Sequence, residues 1–522
     1  MFFTITMILA LVTAIPAALL TARYNLHMFQ LMGYKNIEHV GWIRKNWKKQ
    51  ALLIPNGILG IVALICPHGV TMILLILWNL VLCKYYAYLR KSNTKKKLVY
   101  TMRVRRQVAT DVIVNGIILA LVWIFCGVNY VPGTAAVLIS LQMTALLLVN
   151  LINRPAEKMI TNHFINDAKR MLKEVPGLTI IGITGSYGKT SVKYYLQTLL
   201  QDHFNVLITP ESYNTPMGVV KTIRGSLKST HEIFVCEMGA RHVGDIKEIC
   251  DIVHPHHGVI TSIGPQHLET FFNMNNIVHT KYELADALPA DGLLFLNGDN
   301  EYVTGNSDAY ANKIFYRSQT TGEGYQASDI QLSQLGTEFT VTAPDGTSER
   351  FQMRLVGEHN VINVVGAIAV ANSMGISLRD LRVPVRRIQP VAHRLQMIER
   401  GAVTIIDDAY NSNPVGSKAA VETLAMFDGV RILITPGMVE LGKEEEQYNY
   451  KFGTYAAACC DYILLVGRKH TEPIKKGVLD SGFSEEKCHV YDTLEDALSF
   501  AYSIKDEGHK FILLENDLPD NY

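Results

Sequence analysis

The first 150 residues constrain this chain most, because their long apolar runs can be solvated only by lipid or by one another. Residues 2–22 carry no charge, and about 20 such residues in a helix cross a hydrocarbon core. Four further runs follow at 51–66, 70–83, 112–130 and 135–152. The second and third are joined by Pro67-His68-Gly69, and the fourth and fifth by the turn at Pro132-Gly133. Backbone polar groups facing lipid must be satisfied within the segment, so these runs are predicted to be helices. The second is short enough to be re-entrant, and the count is five with an error of one. Arg23 follows the first run rather than preceding it, which is the wrong order for a cleaved signal peptide. Arg23, Lys35, Arg44, Lys45, Lys48 and Lys49 separate the first two runs, and a second basic cluster, 90–106, separates the third and fourth. Basic loops stay on the cytoplasmic side. The expectation is an N-terminus outside, five crossings, and everything after Arg154 in the cytosol. The basic loops also suit an anionic lipid headgroup or diphosphate.

Beyond residue 153, charges of both signs appear at ordinary globular density. The net charge of +1 by itself argues neither for nor against nucleic acid, and no nucleic acid is expected among the partners. The eight cysteines form no CxxC pair and show no zinc spacing, so they read as reduced thiols. The β-rich run 178–183 leads into Thr184-Gly185-Ser186-Tyr187-Gly188-Lys189-Thr190-Ser191 and then a helical pattern over 192–200. Strand, glycine-rich loop and helix in this order form a phosphate-binding loop. Its backbone N–H groups and helix dipole face phosphate oxygens. Gly185, Ser186, Gly188 and Ser191 are expected to form the ATP cradle, Lys189 to contact the β- and γ-phosphates, and Thr190 to bind Mg²⁺.

Downstream blocks carry a resemblance. They are Asn214-Thr215-Pro216-Met217-Gly218; the apolar strand ending Cys236-Glu237-Met238-Gly239; Gln266-His267-Leu268-Glu269 with Lys281 beyond it; Asn297-Gly298-Asp299; and Gly357-Glu358-His359-Asn360-Val361-Ile362-Asn363. Arg394, Asp407-Asp408-Ala409-Tyr410-Asn411-Ser412-Asn413-Pro414 and Gly437-Met438-Val439-Glu440-Leu441-Gly442 follow. From about 182 to 442 the chain resembles the Mur ligases, and among them the MurF type that adds D-alanyl-D-alanine. The resemblance implies an ATP-dependent amide ligase of peptidoglycan synthesis working through an acyl phosphate. It implies Glu237 as a Mg²⁺ ligand, and His267 and Lys281 as catalytic or metal-holding groups, the lysine once carbamylated. It places Asn297 and Asp299 near adenine, His359 and Asn360 near phosphate, and Asp408, Tyr410 and Asn411 on the nucleotide from the C-terminal domain, and it makes Arg394, with Lys189, a catalytic residue.

The implied organisation is an α-helical transmembrane region (1–153), a linker (154–177), a parallel-sheet P-loop domain (178–392) with β-hairpins over 330–354, and a Rossmann-like domain (393–522). Strands are expected at 403–406, 430–435, 462–466 and 511–514. Two departures bear on substrate. The membrane segments stand where the soluble family holds a uridine nucleotide, so the acceptor is expected to be a muropeptide or another envelope carboxylate, a lipid-linked form included. The acidic stretch from Glu515 stands where a Lys-Gly-Ser loop is usual, which leaves the incoming amino acid or dipeptide open. A poly-γ-glutamate-synthase-like ligase and a non-catalytic ATP-binding regulator are the alternatives. The expected location is the cytoplasmic membrane.

Overall fold

A computed structural model describes residues 1–91, 97–334, 336–410, 412–506 and 508–517. The chain forms two compact units, Met1–Asn162 and His163–Leu518. Within the first, five helices among the described residues are long and apolar enough to cross a membrane: Phe2–Leu31, Trp47–Ile65, Gly69–Arg90, Met102–Phe125 and Val128–Lys173. Small residues let two of them touch backbone to backbone. A Cβ on Gly60 would lie 2.8 Å from the Gly133 carbonyl oxygen, and one on Gly133 equally close to that of Gly60. This is the packing that helices use where no hydrophobic drive separates them from lipid. Polar side chains tie the same helices. Asn56 Nδ2 donates to the Ala136 carbonyl at 2.8 Å, and Tyr86 Oη to Gln50 Oε1 at 2.7 Å.

The stretch expected to be a linker is helical as far as Lys173. Phe164, Ile165, Ala168, Met171 and Leu172 recur at helical spacing and pack on Leu178, Ile180 and Phe234. The residues therefore belong to the second unit's core, and the apolar stripe is the signal that reading them as a linker overlooked.

The second unit holds two sheets. Strands β1 (Thr179–Thr184), β2 (Val206–Ile208), β3 (Ile233–Glu237), β4 (His257–Ile260), β5 (Leu294–Asn297), β6 (Lys313–Arg317), β7 (Tyr325–Ser333), β8 (Gly336–Thr342) and β9 (Ser348–Met353) pair in the order β2-β3-β1-β4-β5-β6-β7-β8-β9. The first seven run parallel, and β7-β8-β9 form an antiparallel meander. The hairpins expected at 330–354 thus extend the main sheet; the expected turn at Leu335 lies outside the described residues. Helices Lys189–Leu200 and Glu358–Ser373 bury Val192, Leu196, Val361 and Val365 on one face, while Asp245–Val253 covers the other. The second sheet contains β10 (Gln396–Arg400), β11 (Val403–Asp408), β12 (Val430–Thr435), β13 (Tyr462–Val466), β14 (Cys488–Tyr491) and β15 (Lys510–Glu515) in the order β10-β11-β15-β12-β13-β14. Only β10 is antiparallel to its neighbour. In both sheets the loops at the carboxyl ends of the parallel strands carry the chemistry-bearing residues, where open α/β sheets bind ligands.

Candidate active site

β1 delivers the chain into the glycine-rich loop, whose shape depends on missing side chains. Gly185 has φ +148 and Gly188 φ +83; a Cβ on the first would lie 2.0 Å from Thr261 Oγ1, and on the second 2.4 Å from Asn363 Oδ1. Lys189 Nζ arches back to the carbonyls of Gly185 (2.6 Å) and Ser186 (3.0 Å). Burial lowers the Lys189 pKa to about 8; Glu237 opposes the shift and Arg394 adds to it. Ser186 clamps the loop instead of facing outward. Its N–H donates to the Ser262 carbonyl at 2.7 Å, and its hydroxyl pairs with Gly264. Ser191 sits buried on the following helix, within hydrogen-bond reach of Tyr195.

Beside this loop, at the end of β3, Glu237 is 1% exposed. Its Oε1 accepts from Thr190 Oγ1 at 3.2 Å and from Asn214 Nδ2 at 2.9 Å. Its Oε2 is ion-paired with Lys193 Nζ at 3.0 Å, and Lys193 also donates to the Glu211 carbonyl at 2.6 Å. Lys193 is fully buried. The sequence reading missed it: it lies one helical turn past Lys189, and that spacing alone does not say which carboxylate it meets. Asn214 reaches Glu237 because Gly239 leaves room; a Cβ there would be 2.7 Å from Asn214 Cγ. Thr190 and Glu237 offer hard oxygen donors side by side, the set that Mg²⁺ prefers. Among the described residues no group of three or more His, Cys, Asp or Glu is arranged to hold a metal.

His267 adopts φ +53, and its Nδ1 is hydrogen-bonded to Glu440 Oε2. Glu440, at φ +65, also meets Arg241 at 3.3 Å. This contact joins the loop after β4 to the loop after β12. Burial lowers the His267 pKa despite the Glu440 carboxylate. Lys281 is 2% exposed. Burial, reinforced by the Lys189 charge, holds its amine well below the ordinary lysine value. A neutral amine is the form that adds CO₂, so the environment fits carbamylation.

Other expected residues hydrogen-bond to neighbouring loops and helices. Asn297 donates to Ser262 Oγ at 3.0 Å and accepts from the Asp299 N–H at 2.9 Å. The Asp299 carboxylate is spent on the 318–320 loop, accepting from Ser318 N at 2.6 Å and Thr320 Oγ1 at 2.7 Å. Burial would raise its pKa, but those bonds hold it below the usual value. Asn360 accepts from Tyr195 Oη at 2.9 Å and donates to the Val356 carbonyl at 2.9 Å, locking two helices together. Its amide therefore orients phosphate-loop elements from behind. Desolvation lowers His359 to about 4, so this ring is neutral near pH 7.

In the second sheet, the Arg394 guanidinium lies 4.5 Å from the centre of the Tyr410 ring. Its neighbours His393 (φ +58) and Leu395 (φ +48) both hold left-handed backbone, which costs a non-glycine residue about 1–3 kcal/mol. Asp408 and Glu515 are paired across β11 and β15. Burial raises both to about 7, Glu515 adding to the shift at Asp408. Glu515 accepts hydrogen bonds from Ser412 Oγ and, at 2.7 Å, from Thr435 Oγ1. Glu515 is therefore an anchor at the end of β15 for Ser412 and Thr435. Asn411 lies outside the described residues.

Residues 183–371 match the Mur ligase middle domain, and 393–514 match the Mur ligase glutamate ligase domain. A UDP-N-acetylmuramoyl-tripeptide–D-alanyl-D-alanine ligase of Mycobacterium leprae is 34% identical over 60% of this chain and 67% of its own length. That of Escherichia coli is 29% identical over 61% and 73%. The crystal structure of MurF from Acinetobacter baumannii superposes with a TM-score of 0.63 at 26% identity, covering 69% of this chain and 78% of that one.

Proposed function

This chain belongs to the Mur ligase family of ATP-dependent amide-bond ligases, and from that premise we propose that it adds an amino acid or dipeptide to a muropeptide-type carboxylate at the cytoplasmic face of a membrane. The observation that carries the reading is the buried constellation of Thr190, Glu237 and Lys193 beside the loop that holds Lys189. An acceptor carboxylate oxygen attacks the γ-phosphorus of ATP; the P–O bond to ADP breaks, leaving an acyl phosphate. The amine then attacks the acyl carbon, phosphate departs, and the amine gives up a proton. Lys189 and the N–H groups of the Gly185–Gly188 loop take up charge on the phosphates. Thr190 and Glu237 would hold Mg²⁺, which supplies further neutralisation of that charge. Lys281, once carbamylated, would present a second anionic ligand, with His267 beside it. Arg394, Asp408 and Tyr410 approach the nucleotide from the second sheet, and the His267–Glu440 contact holds the two lobes in register.

The five apolar helices support the membrane placement. The reading is tested by ADP release from detergent-purified protein, with mass spectrometry of products and Lys189→Ala as the blank. UDP-MurNAc-tripeptide with D-alanyl-D-alanine is offered first, then lipid-linked muropeptides and glutamate. Lys189-dependent product from either muropeptide is expected. Turnover with glutamate alone would move the chain to polyglutamate synthesis, and no Lys189-dependent turnover would sink the ligase assignment.

A further inference from the structure

We propose that the first turns of helix Met102–Phe125 and the 150–157 stretch of helix Val131–Lys173 form a binding site for the phosphate or diphosphate headgroup of a lipid at the cytoplasmic face. The inference rests on the membrane placement above but not on the ligase reaction.

The two helices meet along a polar seam. Arg106 grips Glu157 with two hydrogen bonds, Nε to Oε1 at 2.7 Å and Nη2 to Oε2 at 3.0 Å. Gln107 Nε2 donates to Asn150 Oδ1 at 3.0 Å, and Thr110 Oγ1 to Asn153 Oδ1 at 2.9 Å. The positions 103, 106, 107 and 110 fall on one helical face, as do 150, 153 and 157 on the other. Once these pairs are made, two donors remain. Arg103 Nε is buried and has no hydrogen-bond partner among the described residues; its nearest carboxylate, Glu157 Oε2, is 3.8 Å away. Asn153 Nδ2 is likewise buried and unpaired, on a residue 9% exposed. The one leftover acceptor is Gln107 Oε1. A buried donor left without a partner is destabilising, and an oxygen-rich ligand would relieve it.

Charge decides what would relieve it. Arg103 and Arg106 outnumber Glu157, and Arg105, Arg154 and Lys158 stand exposed around the seam. The Arg103 guanidinium is further fixed by lying 4.2 Å from the centre of the Tyr34 ring. A positively charged, partly buried seam with spare N–H donors suits multivalent phosphate oxygens.

The experiment uses the full chain in neutral-lipid nanodiscs, challenged with an anionic phospholipid, a polyprenyl diphosphate and inorganic pyrophosphate. Retention is read by native mass spectrometry and thermal shift. Wild type is expected to retain at least one of the two lipids over neutral lipid. Arg103→Gln should weaken retention about tenfold, while the exposed Arg105→Gln changes it little. Which lipid is retained, and whether pyrophosphate displaces it, identifies the source of the phosphate. Arg103→Lys keeps the charge but lacks the planar donors, so it should fall between wild type and Arg103→Gln even where the latter folds poorly. No preference over neutral lipid, pyrophosphate binding without lipid binding, or equal losses for Arg103→Gln and Arg105→Gln would overturn the proposal. Release of wild type from membranes by alkaline carbonate would instead overturn the membrane placement itself.

Discussion

Replacing Lys193 by methionine keeps most of the side-chain volume and removes the charge. Lys193 is fully buried, 3.0 Å from Glu237 Oε2 and 2.6 Å from the Glu211 carbonyl. Breaking a buried pair by deleting one partner typically costs about 3–5 kcal/mol, because the other charge stays buried without compensation. For a unit of this size each kcal/mol moves the melting temperature by about 1.5–3 °C, so Lys193→Met should lower it by about 5–15 °C. Differential scanning fluorimetry of the full chain in detergent reads this directly. The double variant Lys193→Met/Glu237→Gln removes both charges and should recover about half of the loss, because the penalty comes mainly from the stranded carboxylate. A shift under about 2 °C, or a double variant as unstable as the sum of the singles, would refute the claim that Lys193 compensates Glu237.

Gly188→Ala should abolish nucleotide binding measured by calorimetry, because φ +83 and the 2.4 Å approach to Asn363 Oδ1 leave the loop no room for a Cβ; Asn363→Ala added to it relieves the crowding but not the backbone strain, and should restore binding only in part. Glu515 and Asp408 have folded pKa values near 7, against 4.5 and 3.8 ordinarily. A raised acid pKa costs stability as the group ionises. The cost is absent below about pH 4, grows as pH rises towards 7, and is complete above it. Glu515→Gln should therefore flatten the fall in melting temperature between pH 5 and pH 8, and an unchanged slope would contradict the assignment. Removing dissolved CO₂ and bicarbonate should slow ADP release by wild type, and Lys281→Ala should be inactive and insensitive to bicarbonate; equal activity with and without bicarbonate would remove the carbamate.

The phosphate loop was legible in the sequence because strand, glycines and helix are adjacent, so their geometry is local. The apolar runs were legible for a different reason, since about 20 consecutive apolar residues without a charge are a signal that needs no tertiary context. β12 and β13 fell where short, largely apolar runs placed them, at 430–435 and 462–466. The edge strands β10 and β14 were missed, because Gln396–Arg400 and Cys488–Tyr491 are short and half polar. Helix 163–173 was read as a linker although its apolar stripe was present, because its charged residues dominate a stretch that follows a long apolar run.

Which groups touch was decided by tertiary structure alone. Lys193 and Glu237 are far apart in sequence and lie on different elements, as do His267 and Glu440, and Asp408 and Glu515. The first pair joins a helix to the end of a strand, the second joins loops from the two sheets, and the third joins neighbouring strands. The sequence by itself determined the phosphate loop, the family and those elements whose apolar pattern is long and regular. Only the fold decided that Ser186, Asp299 and Asn360 spend their polar groups on neighbouring loops and helices, and that the acidic end at Glu515 is an anchor. The physical reason is that a motif specifies residue types at a local spacing, whereas a hydrogen bond or an ion pair depends on distances that only the packed chain sets.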